Sequence, residues 1–151
     1  MSIQIPAQRY DLIRGLIRDA GLRATRGRVV VYTCLDDAAA PVSHGELVER
    51  LVPEGFDRAT IYRNLTDLTQ VGLVRRIDVG DHTWRFELTA ANDEHEAHGA
   101  EEHPHFVCVD CGQVQCLEGV KLQVSPSGDA PQSVQSRQVQ IHLRGVCDQC
   151  S

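Results

Sequence analysis

Cys108-Val-Asp-Cys111 and Cys147-Asp-Gln-Cys150 are two C-x2-C pairs separated by residues 112–146. Two thiolates three positions apart can hold one ion from a single turn, and two such knuckles complete a tetrahedral, all-thiolate zinc site. The competing chemistry is a pair of redox dithiols. Disulfides are the weaker reading, because no basic region followed by an apolar core opens the chain, so no export signal is expected. The second pair lies near the C-terminal end, where it would tie the last strand to the first strand of a small domain.

A second constellation is more dispersed. His103-Pro104-His105 places two imidazoles on one side of an extended segment, since side chains two apart in a strand face alike. Cys116 is the thiol left over once the four-cysteine site is filled, and Glu87 is the only acid among residues 84–88. Two nitrogens, one sulfur and one oxygen suit zinc. The plainer alternative is a pair of surface histidines beside an acidic segment, with Cys116 in the core. His44, His82 and His142 read as bystanders, His95 and His98 as solvated residues, and Cys34 as a small core residue.

The third constellation is basic. Arg23, Arg26 and Arg28 precede or open one helix; Arg58, Tyr62 and Arg63 lie on another. A guanidinium at Arg63 can make a bidentate contact with a guanine edge, and Tyr62 can meet a phosphate or a thymine methyl. The alternative is a solvated helix face. The 151 residues carry a net charge of −6, from 15 basic and 21 acidic side chains. The charge is uneven, and a basic face can sit on an acidic protein. Residues 1–88 balance 12 against 12, residues 89–151 hold 3 against 9, and residues 1–28 carry six arginines against two aspartates. At 42% apolar and 24% charged the chain is neither disordered nor fibrous. Charge-free stretches fall short of the roughly 20 residues of a bilayer span, so a cytoplasmic protein without membrane contact is expected.

These residues need elements to place them. Leu12, Ile13, Leu16, Ile17 and Ala20 share a helical stripe that Gly21 ends; a second helix begins at Thr25. Ser43 and Glu46 form a capping box for a third helix, closed by Pro53 and Gly55. A fourth runs from about Asp57 to Val71, with Ile61, Leu65, Leu68 and Val71 inward and Ala59, Tyr62, Arg63 and Thr66 roughly opposite. Two strand-like runs, 73–79 and 83–88, flank Gly80-Asp81. Short helices followed by a hairpin predict a winged helix-turn-helix, the fourth helix as reader and the hairpin as wing. Residues 89–102 read as a linker. Runs at 106–109, 113–117 and 139–143, with a loop at 125–133, predict a small, mostly β domain that needs a staple. The expected organisation is α+β, with 1–88 as the DNA-binding domain, 89–102 as a hinge, and 103–151 as the metal-binding domain.

The chain resembles the ferric uptake regulator (Fur) family of metal-dependent repressors. The resemblance is carried by G-L-R-A-T-R-G-R (21–28), A-T-I-Y-R-N-L (59–65), G-L-V (72–74), R-F-E-L (85–88), H-P-H-F-V-C-V-D-C-G (103–112) and G-V-C-D-Q-C (145–150). It covers about residues 10–118 and 138–150. It implies a homodimer with an N-terminal winged helix and a C-terminal dimerisation domain, closed by a hinge metal onto an AT-rich palindromic operator. It assigns DNA contact to Arg23, Tyr62 and Arg63, and sensor-metal ligation to Glu87, His103 and His105. The position of Cys116 is usually acidic. The two C-x2-C pairs would hold structural zinc. Three departures follow from the match. Pro41 replaces the family's N-domain histidine ligand, with His44 three residues on. Pro104 and Val139 fall where an auxiliary site has ligands. Residues 120–138, with two prolines, a glycine and four serines, replace a full helix and shorten the dimerisation domain.

The resulting expectation is a metal-responsive repressor and not an enzyme. It would carry one structural Zn2+ and sense a second divalent metal through Glu87, His103, His105 and Cys116. Zinc comes first because a thiolate and four ligands match its tetrahedral habit; Fe2+, Mn2+ or Ni2+ and peroxide sensing are the alternatives within the family. A metalloenzyme would need an open metal position and a nearby general base. A metal-buffering protein would not need a tyrosine-arginine reading helix.

Overall fold

The computed structural model describes residues 3–89, 104–117, 119–136, 139 and 141–151. The chain divides into two compact units, Met1–Glu94 and His95–Ser151. No helix among the described residues is long and apolar enough to cross a membrane.

The first unit contains α1 (Ala7–Asp19), α2 (Arg26–Asp36), β1 (Val42–Ser43), α3 (His44–Leu51), α4 (Arg58–Gln70), β2 (Val74–Asp78) and β3 (Trp84–Leu88). Each helix starts or stops where its terminal residues satisfy orphan backbone groups. The Thr25 hydroxyl accepts from the Arg28 N–H and opens α2. Ser43 and Glu46 cap each other's backbone N–H and open α3 as a complete capping box. Asp57 accepts the Thr60 N–H at 2.8 Å and opens α4. Gly72, at φ 78°, sits in the left-handed region just past α4, where a side chain would be strained.

Ile13, Ile17, Val29, Val31, Leu47, Leu51, Ile61, Leu65 and Leu68 interlock into one core, closed on one side by Val42, Val74 and Phe86 of the sheet. Leu12 departs from expectation. It is 64% exposed, because it lies about 100° round the helix from Ile13 and falls off the buried stripe. The hairpin strands are shorter than the runs at 73–79 and 83–88 suggested. Residues 79–83 form the turn, in which Asp78 accepts the Gly80 N–H and Asp81 the Thr83 N–H. The two-residue β1 adds a third strand in the order β1-β3-β2, pairing Val42 with Phe86 and Ser43 with Arg85.

The second unit contains β4 (His105–Cys108), β5 (Val114–Cys116), α5 (Gln132–Gln135) and β6 (His142–Gly145). Its sheet runs β5-β4-β6, antiparallel across β4–β5 and parallel across β4–β6. The last strand lies about three residues later than the apolar run at 139–143. Its parallel register on β4 and Gly145 place it: a Cβ on Gly145 would stand 3.1 Å from the Phe106 ring. The single-turn α5 follows Pro131 inside a stretch otherwise read as loop. Among the described residues of this unit the buried apolar ones are Pro104, Val107, Cys108, Val114 and Cys147, a small core that a staple would reinforce. Apart from Thr89, the expected hinge at 89–102 lies outside the described residues.

Candidate metal centres and nucleic-acid interface

β4 runs directly into the first cysteine knuckle. The Cys108 N–H donates to the Gln113 carbonyl and the Gly112 N–H to the Cys108 carbonyl, both at 2.9 Å, folding residues 108–113 into a tight loop. Gly112, at φ 72°, permits the reversal. The second knuckle repeats this form: the Cys150 and Ser151 N–H groups donate to the Cys147 carbonyl at 3.0 Å. The Val109 N–H donates to the Gly145 carbonyl at 2.8 Å, tying one knuckle to the strand that leads into the other.

The four sulfurs lie within 4.8 Å of one another. Cys111 Sγ and Cys147 Sγ are 3.8 Å apart. A tetrahedron with zinc–sulfur bonds of roughly 2.3 Å has edges of about 3.8 Å. The donor set and spacing therefore fit zinc. Electrostatics agrees. The N–H groups of Cys111 and Cys147 pull the Cys108 thiol down to about 6. Crowding by the sulfurs of Cys147 and Cys111 pushes Cys150 up to about 12. Four thiolates this close repel, and a divalent cation removes the repulsion. Cys34 has no such company: it is buried in the first unit's core, and burial raises its thiol.

The second constellation is placed in part. His105 on β4 and Cys116 on β5 are directly opposed in antiparallel register, so their side chains share a face of the second unit's sheet. His105 is 6% exposed. On the other side of His105 the parallel register brings His142, whose buried Nδ1 has no hydrogen-bond partner among the described residues. Cys116, His105 and His142 thus form a row across three strands. Pairing, invisible in the sequence, made this row, and spacing alone treated His142 as a bystander. In the first unit, Glu87 of β3 opposes Arg75 of β2 and is ion-paired with it. His103, His95 and His98 lie outside the described residues.

The basic constellation is presented by α4 and the loop before α2. Arg58, Ala59, Tyr62 and Arg63 are exposed on α4, while Ile61, Asn64, Leu65 and Leu68 are buried beneath. Tyr62 is 53% exposed, a large aromatic surface held out to solvent. The Arg63 guanidinium donates to the Thr60 hydroxyl at 3.2 Å, one turn back along the helix. Arg23 is exposed, and its backbone is anchored by Arg28, which donates to the Arg23 carbonyl at 2.6 Å and pairs with Asp67 of α4 at 2.5 Å. That bridge fixes the Arg23 loop to the same helix that carries Tyr62 and Arg63. On the wing, the Arg76 guanidinium stacks 4.0 Å over the exposed Trp84 ring.

The description "Ferric uptake regulator family" belongs to the family model that matches residues 19–144. The peroxide-responsive repressor PerR of Staphylococcus aureus is 24% identical over 155 aligned positions, spanning 99% of this chain and 98% of the relative. The Vibrio cholerae ferric uptake regulator superposes with a TM-score of 0.59 at 26% identity, covering 89% of this chain and 98% of that one. The Pseudomonas aeruginosa ferric uptake regulator with manganese gives 0.59 at 25% identity, covering 91% and 98%.

Proposed function

The chain belongs to the ferric uptake regulator family, and on that premise we propose that it is a homodimeric, zinc-responsive repressor of double-stranded operator DNA. Membership makes it a metal-responsive transcriptional regulator rather than an enzyme. The metal and the residue roles are the proposal.

Cys108, Cys111, Cys147 and Cys150 hold the structural zinc, which supplies folding free energy to a unit with few buried apolar residues. Glu87, His103, His105 and Cys116 hold the regulatory metal. The observation that carries the zinc assignment is the direct pairing of Cys116 with His105. A carboxylate opposite His105 would leave a hard nitrogen–oxygen set compatible with iron or manganese; a thiolate there softens the set towards zinc. His105 is buried, and Cys116 is half-buried. Arg23, Tyr62 and Arg63 contact the operator, Arg63 at a base edge and Tyr62 at a phosphate or thymine methyl.

A peroxide-responsive reading has one observation in its favour, the similarity to the Staphylococcus aureus PerR along nearly the whole chain. In that case Cys116 or a hinge histidine would be the oxidised group.

One experiment separates these readings. The duplex that the protein itself selects from a random-sequence pool serves as operator. The regulatory site is stripped with the structural zinc retained, and operator affinity is followed while zinc, ferrous iron, manganese and nickel are titrated. Zinc activates binding at the lowest free concentration, and Cys116→Asp moves the preference towards iron or manganese. Activation by ferrous iron but not by zinc, with loss of binding after peroxide, would transfer the assignment to the peroxide reading.

A further inference from the structure

The first turn of α3 carries a contact that neither metal chemistry nor core packing accounts for. His44 is the first residue of α3, directly after the Ser43 cap. Its Nε2 lies 3.1 Å from the carbonyl of Arg58, the first residue of α4. A carbonyl only accepts, so Nε2 carries the proton and donates. The same ring meets Tyr62 edge to face, with centroids 5.6 Å apart and planes at 81°. One side chain therefore bridges the first turns of the two helices of the helix-turn-helix and ends against Tyr62, the one aromatic residue of α4.

We propose that His44 is the positioning residue for Tyr62, fixing the ring for operator recognition while its hydrogen bond to the Arg58 carbonyl holds the imidazole against α4. The inference rests on the reading of α4 as the operator-contacting helix. A half-exposed tyrosine free to rotate would lose side-chain entropy on meeting DNA; a ring already held by an edge-to-face partner loses less. Aromatic pairs in this range of separations are worth enough to matter for affinity without dominating it. His44 is also the histidine nearest in sequence to the missing N-domain ligand at Pro41. Its Nε2 is committed to the Arg58 carbonyl, which gives the residue a role on the DNA side of the molecule.

The test uses the full zinc-loaded protein, the selected duplex and a scrambled duplex at one fixed salt concentration, since phosphate contacts make affinity salt-dependent. His44→Ala weakens binding to the selected duplex by about 2–10-fold and leaves the scrambled duplex unchanged. In a Tyr62→Ala background, His44→Ala changes affinity less than about twofold, because the partner through which it acts is gone. His44→Phe, which keeps a ring without the donor, recovers most of the loss; His44→Gln, which keeps a donor without the ring, does not. The Tyr62 ring-proton resonances shift in His44→Ala and not in Arg63→Ala. Equal losses in both Tyr62 backgrounds, or equal losses on both duplexes, would overturn the positioning role. If Arg63→Ala also left discrimination between the duplexes intact, the assignment of α4 itself would fall. If Arg63→Ala lowered discrimination while His44→Ala did not, only the role of His44 would.

Discussion

Arg63 and Tyr62 are exposed on a helix whose opposite side is fully buried, which separates their function from stability. Arg63→Ala should change unfolding free energy by no more than about 0.5 kcal/mol. It should weaken discrimination between the selected and random duplexes by roughly 1–3 kcal/mol, the worth of a bidentate base contact. Parallel urea titrations and binding isotherms check both halves; unchanged discrimination would remove α4 as reader. At this scale some chemistry was legible and some was not. The two C-x2-C pairs were readable because each knuckle is local: three residues and a tight turn aim both sulfurs at one point. Exposure of Tyr62 and Arg63 was readable because helical phase is local too. The contact of His44 with Tyr62 was hidden, since it depends on how α3 crosses α4. The row of Cys116, His105 and His142 was hidden because strand register, not spacing, creates it.

At the scale of elements, the caps carried most of the legible information. Ser43 and Glu46 announce α3 four residues before its apolar stripe is established. Ser43→Ala should therefore cost about 1 kcal/mol of first-unit stability, measured by thermal or urea unfolding, and Ser43→Asp should recover most of it. Asp57 gives a pH-dependent counterpart. The Thr60 hydroxyl and N–H hold its carboxyl below the usual range. A group whose folded pKa is depressed stabilises the fold above its unfolded pKa, and that contribution is lost as pH falls through the folded value. Asp57→Asn keeps a capping oxygen without the charge. The difference in urea midpoint between wild type and Asp57→Asn should shrink as pH falls from about 5 to below about 3; a difference independent of pH would contradict the cap. The unexpected elements have a common cause. The strand at Val42–Ser43 is too short for alternation to reveal and exists because β3 offers it a partner. The strand at His142–Gly145 is placed by β4 rather than by its own apolar run.

Across the whole molecule, two demands meet: a second unit with little core must stay folded, and metal occupancy must be felt at the DNA. Cys111→Ser should unfold the second unit or abolish dimerisation, and chelation at neutral pH should do the same slowly, followed by circular dichroism, sedimentation and zinc content. Retention of native dichroism, size and one tightly held zinc per chain would show that the four cysteines are not the staple. In the proposed function, regulatory metal and operator DNA bind the same state of the protein. Coupling of this kind is reciprocal: a metal that strengthens operator binding by some factor must itself be bound more tightly by that factor when DNA is present. The decisive measurement is the zinc affinity of the regulatory site, with the structural zinc in place, in the absence and presence of saturating selected duplex. The selected duplex should tighten zinc binding by about 10-fold or more, within the usual range of allosteric coupling, and a scrambled duplex should do so far less. Identical zinc affinity with and without the selected duplex would contradict it.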